Sequence, residues 1–516
     1  MKNEIVYLLI FFLGLNFVSA VDYSNVPEAN LVWEYEDSQM SSDDLVSVGD
    51  FGSQVFFAKG NYGINVLGIS RFDSGTLSPF IDGYFPGAAF FQHFSSSKDS
   101  NVHVYDYHKY EGGPYSGQVI FYDSTSGKKW EWQPPYIFLD GYMESFVTDD
   151  GSKVIVASYD YVHPPKNWVH VIDSNSGMPI NNYNLGIFLP IRGGEISGNG
   201  EILATYSDGE AAFYNLNTNT EMFQEYIMGG LSCSGNPIYV NEDGSKIILG
   251  CGKTKGIRVF QRNGNSYNEV YNYYDNDFVH VSALKVSDDG SRAVAIILGS
   301  DGSVKIIELD LVNQNVIYEN VLPTSSYNSA LDITEDGNYY ALEFNGQGGT
   351  VPEVQVFRFR TYSTEKTPVS KYYTNGEVYN MEFTPQGDAL VINYKYGSGG
   401  KFAVLEPFPL GVRMEGIPKI GSTVTFVQPW FSGLINKVVY SNTLNPMEIP
   451  PWGWLYPNRN TLYILPSGTN VVDKTLTNYA IPNNPALIGT NLYFQGVGFN
   501  PRDLSDNYIG FTILPA

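Results

Sequence analysis

The chain has few charges, few cysteines and few basic residues. Charged residues make up 16% of its 516 residues, against roughly 25% in an average soluble protein. Acids outnumber bases by 54 to 30, which gives a formal net charge of −24. Binding to a nucleic-acid backbone needs a basic face, so we expect no nucleic-acid partner. Beyond the first 20 residues no apolar stretch reaches the roughly 20 residues of a bilayer span, so we expect no membrane insertion there.

Motifs that carry catalysis are also missing. The sequence has no G-x-S-x-G elbow, no H-E-x-x-H pair and no D-x-D-x-D-G calcium loop. No glycine-rich loop stands between a strand and a helix, where a nucleotide phosphate would bind. The six histidines show no H-x-H spacing, and a metal needs convergent ligands. We therefore predict no catalytic residue, no metal site and no cofactor.

What the chain does contain is apolar and aromatic. Hydrophobic residues make up 43% and aromatic residues 15% of it, enough for a large core. Lys2 precedes an apolar run from Ile5 to Phe17, and Val18-Ser19-Ala20 places small residues before Val21. This pattern predicts a signal peptide, residues 1–20, cleaved after Ala20. We expect a secreted, extracellular protein, with the cell surface or the periplasm as the other destinations.

A turn signature recurs along most of the chain. V-T-D-D-G-S at Val147–Ser152 returns as V-S-D-D-G-S at Val286–Ser291, with six further copies of varying strength. The turn positions are Gly52, Ser100, Gly151, Gly200, Gly244, Gly290, Gly337 and Gly387. Their spacings lie between 44 and 51 residues. Asp-Gly closes a hairpin because glycine accepts a positive φ and the Asp side chain bonds its own backbone.

Four short strands can be traced around most of these turns, and four antiparallel strands at this period predict a β-propeller blade. The eighth repeat supplies three strands and ends at Leu405. The isolated strand Leu31–Glu36 would complete it and remove an exposed edge. The sequence thus predicts an all-β, eight-bladed β-propeller over residues 21–407, closed by the N-terminal strand. Seven blades is the alternative, if the divergent copy at Ser100 is not a blade.

The repeats resemble those of secreted WD-like and quinoprotein-like propellers. The likeness rests on W-E-Y-E at Trp33–Glu36 beside the D-G-S turns, and on Y-D-S-T-S-G-K-K-W at Tyr122–Trp130, which is similar to the D-x-x-T-G-x-x-x-W end of a quinoprotein blade. It covers about 380 residues and implies a propeller fold. Quinone dehydrogenases of that family use adjacent cysteines, and Cys233 and Cys251 are not adjacent. The resemblance therefore implies no bound quinone.

After Pro407 the pattern changes. Residues 408–411 read as a linker, and residues 412–516 show alternating strands without a D-G-S turn. This predicts a small C-terminal β-sandwich. Its segment Pro485–Gly496 is similar to short C-terminal sandwich modules of exported bacterial proteins. In the propeller, Cys233 and Cys251 flank one predicted hairpin, so we expect a disulfide between them, with two buried thiols as the alternative.

Two long aromatic loops in consecutive repeats are the candidate binding surface. They should be neighbours on the face where loops between second and third strands open, and their rings suit sugars or a partner's side chains. A second candidate is the stiff loop Pro450–Pro457, whose aromatic residues alternate. Packing of these rings within the protein is the alternative in both places. The candidate residues are Tyr107, His108, Tyr110, Tyr115, Tyr161, His163 and Trp168 in the propeller, and Trp452, Trp454 and Tyr456 in the C-terminal domain.

The sequence as a whole favours an exported binding or scaffold protein without enzymatic activity. A protein or a glycan is the expected partner, and self-assembly is a further option. The alternative function is a secreted hydrolase or oxidoreductase with its active site in the axial channel. Convergent acids or histidines with shifted pKa values in that channel would favour the alternative.

Overall fold

The computed structural model is all-β wherever it describes the chain. In several strands, the four within residues 45–83 among them, only the backbone is described. The described residues are 26, 28–37, 45–48, 54–59, 64–70, 78–83, 88–97, 102–110, 116–123, 127–134, 143–160, 166–185, 191–207, 210–226, 238–250, 256–276, 278–299, 303–321, 330–344, 351–359, 368–384, 387, 389–397, 399–407, 413–415, 419–429, 436–449, 453–457, 462–465, 469–471, 474–499, 502–504 and 509–513.

Up to Glu406 the described strands form eight four-stranded antiparallel sheets. This succession of sheets is the arrangement of a β-propeller. Sheets 1 to 4 consist of β2 (Leu45–Val48), β3 (Gln54–Lys59), β4 (Ile64–Ser70) and β5 (Ser78–Gly83); β6 (Ala88–Ser96), β7 (Val102–Tyr110), β8 (Ser116–Asp123) and β9 (Gly127–Trp132); β10 (Met143–Val147), β11 (Lys153–Asp160), β12 (Lys166–Asp173) and β13 (Pro179–Asn184); and β14 (Ile191–Ile196), β15 (Ile202–Ser207), β16 (Glu210–Asn215) and β17 (Thr220–Tyr226).

The second half of the repeats continues the pattern. Sheets 5 to 8 consist of β18 (Ile238–Val240), β19 (Lys246–Gly250), β20 (Ile257–Asn263) and β21 (Ser266–Tyr273); β22 (Phe278–Val286), β23 (Arg292–Gly299), β24 (Val304–Asp310) and β25 (Asn315–Val321); β26 (Leu331–Ile333), β27 (Tyr339–Glu343), β28 (Val354–Arg358) and β29 (Ser370–Tyr372); and β30 (Val378–Phe383), β31 (Leu390–Tyr396), β32 (Gly399–Glu406) and β1 (Asn30–Asp37). The divergent repeat around Ser100 therefore supplies a four-stranded sheet of its own.

The recurring turn has one geometry. In sheet 3 the Gly151 amide donates to the Thr148 carbonyl at 2.7 Å, and Gly151 has φ of 66°. The Asp150 carboxylate accepts from the Thr148 hydroxyl at 2.7 Å and from the Ser152 amide at 2.9 Å. The same bonds recur around Gly290 and Gly337. The Asp-Gly chemistry predicted from the sequence thus ends the first strand and starts the second in these repeats.

First strands of consecutive sheets lie side by side, from β2 and β6 through to β26 and β30, and β30 lies beside β2. Turns also bond between sheets, since the Asp149 amide donates to the Gly198 carbonyl at 2.9 Å. The N-terminal strand β1 pairs with β32, as the sequence predicts. Glu34 of β1 accepts from Lys401 Nζ at 2.7 Å and from the Tyr394 hydroxyl at 2.5 Å. These contacts hold the N-terminal strand to the last sheet.

Hydrophobic clusters fill the spaces between neighbouring sheets. Phe146 and Ile155 of sheet 3 pack with Leu203 and Tyr214 of sheet 4, and each following pair of sheets has such a cluster. Each fully buried Leu or Ile contributes about 1.5–3 kcal/mol. The stability of the ring therefore resides mainly between its sheets.

Trp130 joins sheets 2 and 3 in a further way. Its indole Nε1 donates to the Ser174 carbonyl at 2.6 Å, and its ring stacks on Phe121 with centroids 4.9 Å apart. The ring lies so close to Gly177 that a Cβ there would meet it at 2.8 Å. A residue other than glycine at 177 would displace the indole.

Beyond residue 412 the described strands pair in separate sheets. The rings of Phe426 and Phe494, which belong to two of these sheets, stack with their centroids 4.2 Å apart. Both lie in one hydrophobic core with Val424 and Val438. A short 3-10 helix, Pro485–Leu487, precedes β41. The strands are β33 (Arg413–Glu415), β34 (Thr423–Pro429), β35 (Asn436–Ser441), β36 (Leu444–Ile449), β37 (Gly453–Pro457), β38 (Tyr463–Ile464), β39 (Thr469–Val471), β40 (Lys474–Ala480), β41 (Asn491–Phe499), β42 (Arg502–Leu504) and β43 (Ile509–Thr512).

Among the residues described here, no helix combines the length and the apolar character needed to cross a bilayer.

Candidate functional site

Polar side chains stand at one repeated position of the first strands. In five consecutive repeats, the residue five positions before the turn glycine has a charged side chain or a hydroxyl group. Its neighbours in the strand are mostly apolar. In sheet 6 this residue is Lys285, whose neighbours Leu284 and Val286 are buried at 5% and 6% exposure. First strands lie nearest the axis of a propeller. We call this set the channel cluster: Glu195, Tyr239, Lys285, Asp332 and Glu382.

Lys285 is the cation of the channel cluster. Its Nζ lies 3.2 Å from Asp332 Oδ1. The other oxygen of Asp332, Oδ2, accepts from the Phe383 amide at 2.6 Å, which fixes the carboxylate between sheets 7 and 8. The Asp332 carboxylate raises the pKa of Lys285, with further contributions from Glu382 and Glu195. The Lys285 side chain nevertheless keeps 47% of its surface accessible to solvent.

Glu195 and Tyr239 occupy the neighbouring sheets 4 and 5. Burial raises the pKa of Glu195 to about 7, and the Asp149 and Asp288 carboxylates act in the same direction. Its Oε1 accepts from the Ile196 amide at 3.3 Å. The Tyr239 hydroxyl donates to the Ser287 carbonyl at 2.9 Å. A carboxyl with a pKa near 7 is partly protonated at neutral pH, whereas an ordinary glutamate is ionised.

A second group of acids consists of Asp106 in β7 of sheet 2 and Glu144 in the first strand of sheet 3, and Glu144 interacts with Glu195. Asp106 and Glu144 are buried at 0% and 3% exposure. The Ser145 hydroxyl donates to Asp106 Oδ2 at 2.6 Å. Burial raises the pKa of Glu144 well above its usual range, and the Asp106 and Glu195 carboxylates raise it further. Burial and the neighbouring carboxylates therefore both favour the protonated form of Glu144.

Among the propeller residues predicted to form the binding surface, Trp168 is the one whose side chain the structure describes. Trp168, in β12, is half-buried, and its ring lies 6.4 Å from that of His170. His170 packs on Trp132 at 4.8 Å, and its Nδ1 lies 2.7 Å from the Asn182 side-chain oxygen. Burial lowers the pKa of His170, so its imidazole is neutral at pH 7. The Trp168 ring therefore belongs to an aromatic stack between sheets 2 and 3.

The other predicted site residues lie partly or wholly outside the described part. Only the backbone is described for Tyr107, His108 and Tyr110 in β7 and for Trp454 and Tyr456 in β37. Tyr115, Tyr161, His163, Trp452, Cys233 and Cys251 lie outside the described residues. Within the described residues, no three His, Cys, Asp or Glu side chains are grouped in a way that could hold a metal ion.

Sequence reasoning missed the channel cluster, although the sequence contains a signal for it. The signal is the register, because each member stands at a fixed distance from a turn glycine that the repeats already reveal. A polar residue in a short, otherwise apolar strand would suggest a position facing away from the core.

The chain was compared with family models, curated proteins and solved structures. No family model matches the chain, and no curated protein matches it. Among solved structures, the hydrazine synthase of Kuenenia stuttgartiensis is 15% identical, with 55% of this chain and 75% of that chain covered and a TM-score of 0.34. A chain of the mitotic checkpoint complex is 11% identical, with 61% and 90% covered and a TM-score of 0.40. Likenesses at this level say nothing about function.

Proposed function

We propose that this protein is an exported, non-enzymatic binding protein. Its scaffold is an eight-bladed β-propeller closed by β1, followed by a small β-sandwich. The eight sheets in sequence order, the contact of β30 with β2 and the pairing of β1 with β32 support the closed ring. The shared core around Phe426 and Phe494 supports the sandwich.

The binding site of this proposal is the channel cluster. The observation that carries it is Lys285, which keeps 47% of its side-chain surface accessible although its ion-pair partner Asp332 keeps 10%. A half-exposed lysine side chain beside buried Leu284 and Val286 faces a space that water can enter. Charges arranged around such a space can select a partner by electrostatic complementarity. The N-terminal pattern up to Ala20 supports the export part of this proposal.

The experiment is a selection of random peptides displayed on phage against the mature protein. Enriched peptides are then measured on Glu195→Gln and Lys285→Met, with Glu221→Gln as the matched control. Glu221 is an exposed residue of the outer strand of the same sheet as Glu195. We expect at least a tenfold loss on one channel variant and none on the control. Enrichment that is absent, or binding that no channel variant changes, would contradict the proposal.

A second candidate function is hydrolysis in the channel. The pKa of Glu195, raised to about 7, favours it, because a general acid works best when its pKa lies near the working pH, and the buried carboxyl of Glu144 is a second candidate group. Glycoside hydrolysis pairs one carboxylic acid of raised pKa with a second carboxylate that is ionised. A panel of nitrophenyl glycosides and esters tests it. Turnover by the wild type that Glu144→Gln or Glu195→Gln abolishes would favour the enzyme over the binding protein.

A further inference from the structure

The outer strands of the repeats, which are the fourth strands of the eight sheets, differ in charge. Of these eight strands, all of which the structure describes, seven contain between one and three charged residues; they are β1, β5, β9, β17, β21, β25 and β29. The exception is β13 of sheet 3, Pro179–Asn184, with the sequence P-I-N-N-Y-N. Charged side chains on a free edge keep sheets of different molecules from pairing. β13 therefore lacks the protection that the other outer strands have.

β13 is also exposed to solvent. Five of its six residues are exposed, and Tyr183 is the one that is buried. Ile180 keeps 51% and the preceding Met178 keeps 67% of its surface accessible. The uncharged stretch extends beyond the strand, because no charged residue stands between Asp173 and Arg192. An exposed, uncharged edge with apolar side chains is a template for pairing with another strand.

The pairing of β13 with β12 sets the direction of its backbone groups. The Leu185 amide, just after the strand, donates to the Asn167 carbonyl at 2.9 Å. Bonded residues alternate along an antiparallel ladder, so Tyr183 also bonds to β12. The amides and carbonyls of Asn182 and Asn184 then point to the outer side of sheet 3, where its order of strands ends. A further strand can be added there.

Contacts within the protein already hold this edge in place. Asp173 Oδ1 accepts from the amide and from the hydroxyl of Ser176 at 2.8 Å each, which fixes the turn before β13. The Tyr183 hydroxyl donates to the carbonyl of Leu216, next to β16 of sheet 4, at 2.5 Å. A strand that is ordered before it meets a partner loses little conformational entropy on binding.

Charge decides which partner fits this edge. The chain has a formal net charge of −24, so a basic partner is attracted to the acidic surfaces and not to β13. A second copy has the same net charge and is repelled wherever acids face acids. Contact between two copies meets least opposition where neither displays a charge, and β13 offers the same uncharged strand on both sides. Two identical edges are self-complementary when a twofold axis relates them.

We propose that β13 joins two copies of this protein into a dimer. The two β13 strands run antiparallel about a twofold axis at Tyr183, with Asn182 of each copy opposite Asn184 of the other. Their outward amides and carbonyls exchange hydrogen bonds, and two four-stranded sheets become one continuous sheet. The contact lies on an outer strand and the channel cluster lies on first strands, so the dimer does not rest on the binding function proposed above.

Sedimentation velocity of the mature, full-length chain between 1 and 100 μM tests the proposal. We expect the wild type to sediment as a dimer at the upper end of this range. The test variant is Ile180→Lys, which places a lysine of each copy beside the contact. Its matched control is Val321→Lys in β25, an outer strand that already contains Glu319. Ile180 and Val321 both keep 51% of their surface accessible, so the two variants differ in their strand and not in their exposure.

Ile180→Lys should weaken the dimer at least tenfold, and Val321→Lys should leave it unchanged. A second variant, Asn184→Pro, removes an outward amide at an edge position that tolerates proline, and it should also weaken the dimer at least tenfold. Circular dichroism checks that each variant is folded. A wild type that stays monomeric up to 100 μM would overturn the proposal. So would a dimer that folded Ile180→Lys does not weaken, or that Val321→Lys weakens equally.

Salt gives an independent readout. Raising the NaCl concentration from 50 to 500 mM screens the repulsion between two chains of net charge −24. The uncharged contact itself is little affected by salt, so the dimer should become at least threefold tighter. A dimer that weakens with salt would indicate an interface of ion pairs and would overturn the role of β13.

The displayed peptides test the other occupant of this edge. If the wild type is monomeric, and a peptide loses binding on Asn184→Pro but not on Val321→Lys, the edge takes a peptide strand and the second copy is wrong. Assemblies that grow beyond the dimer would also overturn the proposal, because a twofold pair leaves no β13 edge free. Absence of the dimer leaves the channel site unaffected, since that site is tested with Glu195→Gln and Lys285→Met.

Discussion

Replacing Glu195 with glutamine should stabilise the protein at alkaline pH and leave it unchanged in acid. In the unfolded chain the carboxyl has its ordinary pKa of 4.5, and burial raises it to about 7 in the fold. Below pH 4.5 the group is protonated in both states and contributes nothing. As the pH rises from 4.5 to 7 the unfolded chain ionises first, so this group lowers stability progressively, and the full cost persists above pH 7.

The magnitude follows from the same two values. The difference between 4.5 and about 7, at 1.36 kcal/mol for each pKa unit, corresponds to roughly 3 kcal/mol. Glu195 is partly accessible to solvent, which reduces this figure, so we expect Glu195→Gln to gain about 1–3 kcal/mol at pH 8. The glutamine Oε1 can still accept from the Ile196 amide, so that bond need not be lost.

Urea denaturation of both proteins at pH 4.0, 6.0 and 8.0, followed by tryptophan fluorescence, measures the difference. Titrations of groups that do not interact with Glu195 cancel in this comparison. Glu221→Gln, on the outer strand of the same sheet, controls for the change in net charge. A difference between wild type and Glu195→Gln that does not grow with pH, or a variant less stable than the wild type at pH 8, would refute the reasoning.

Three further predictions concern the scaffold. Deleting residues 21–40 removes β1 and the Glu34–Lys401 ion pair, and should lower the midpoint of thermal unfolding by at least about 5 °C; an unchanged midpoint would mean that β1 does not close the ring. Trp168→Ala should cost about 2 kcal/mol in urea denaturation, less than the roughly 3–5 of a core tryptophan, because the ring is half-buried; a cost near zero would show that the stack on His170 contributes little. Limited proteolysis should cut near Leu410–Gly411 and release the C-terminal part; a chain that resists and melts as one unit would contradict two independent domains.

The repeat architecture could be predicted because it depends on local chemistry. Asp-Gly pairs and the period near 48 residues identify each turn, and Gly151 and its equivalents have the positive φ that the residue type demands. Strand pairing within a repeat follows from short connections. Even the distant pairing of β1 with β32 was predictable, because a three-stranded last repeat leaves an open edge.

The stack around Trp168 was harder to anticipate. The sequence allowed two interpretations of Trp168, an exposed platform or a packed core ring. The ring is half-buried, so its exposure is intermediate between the two. The contact that decides it is the packing of His170 on Trp132 of the preceding sheet. Such contacts depend on the spacing between sheets, which periodicity does not contain.

The channel cluster shows why a site built from repeats escapes motif searches. Glu195 and Lys285 are 90 positions apart, and no spacing rule for a catalytic or binding motif joins them. The strands that carry them, β14 and β22, both contact β18, so the order of the sheets brings them near one another. Each of five consecutive repeats contributes one side chain, so the site is defined by a register and not by a run of residues. Substituting a member of that register should therefore alter binding or proton uptake, whereas the buried neighbours on either side, such as Leu284 and Val286, should affect stability.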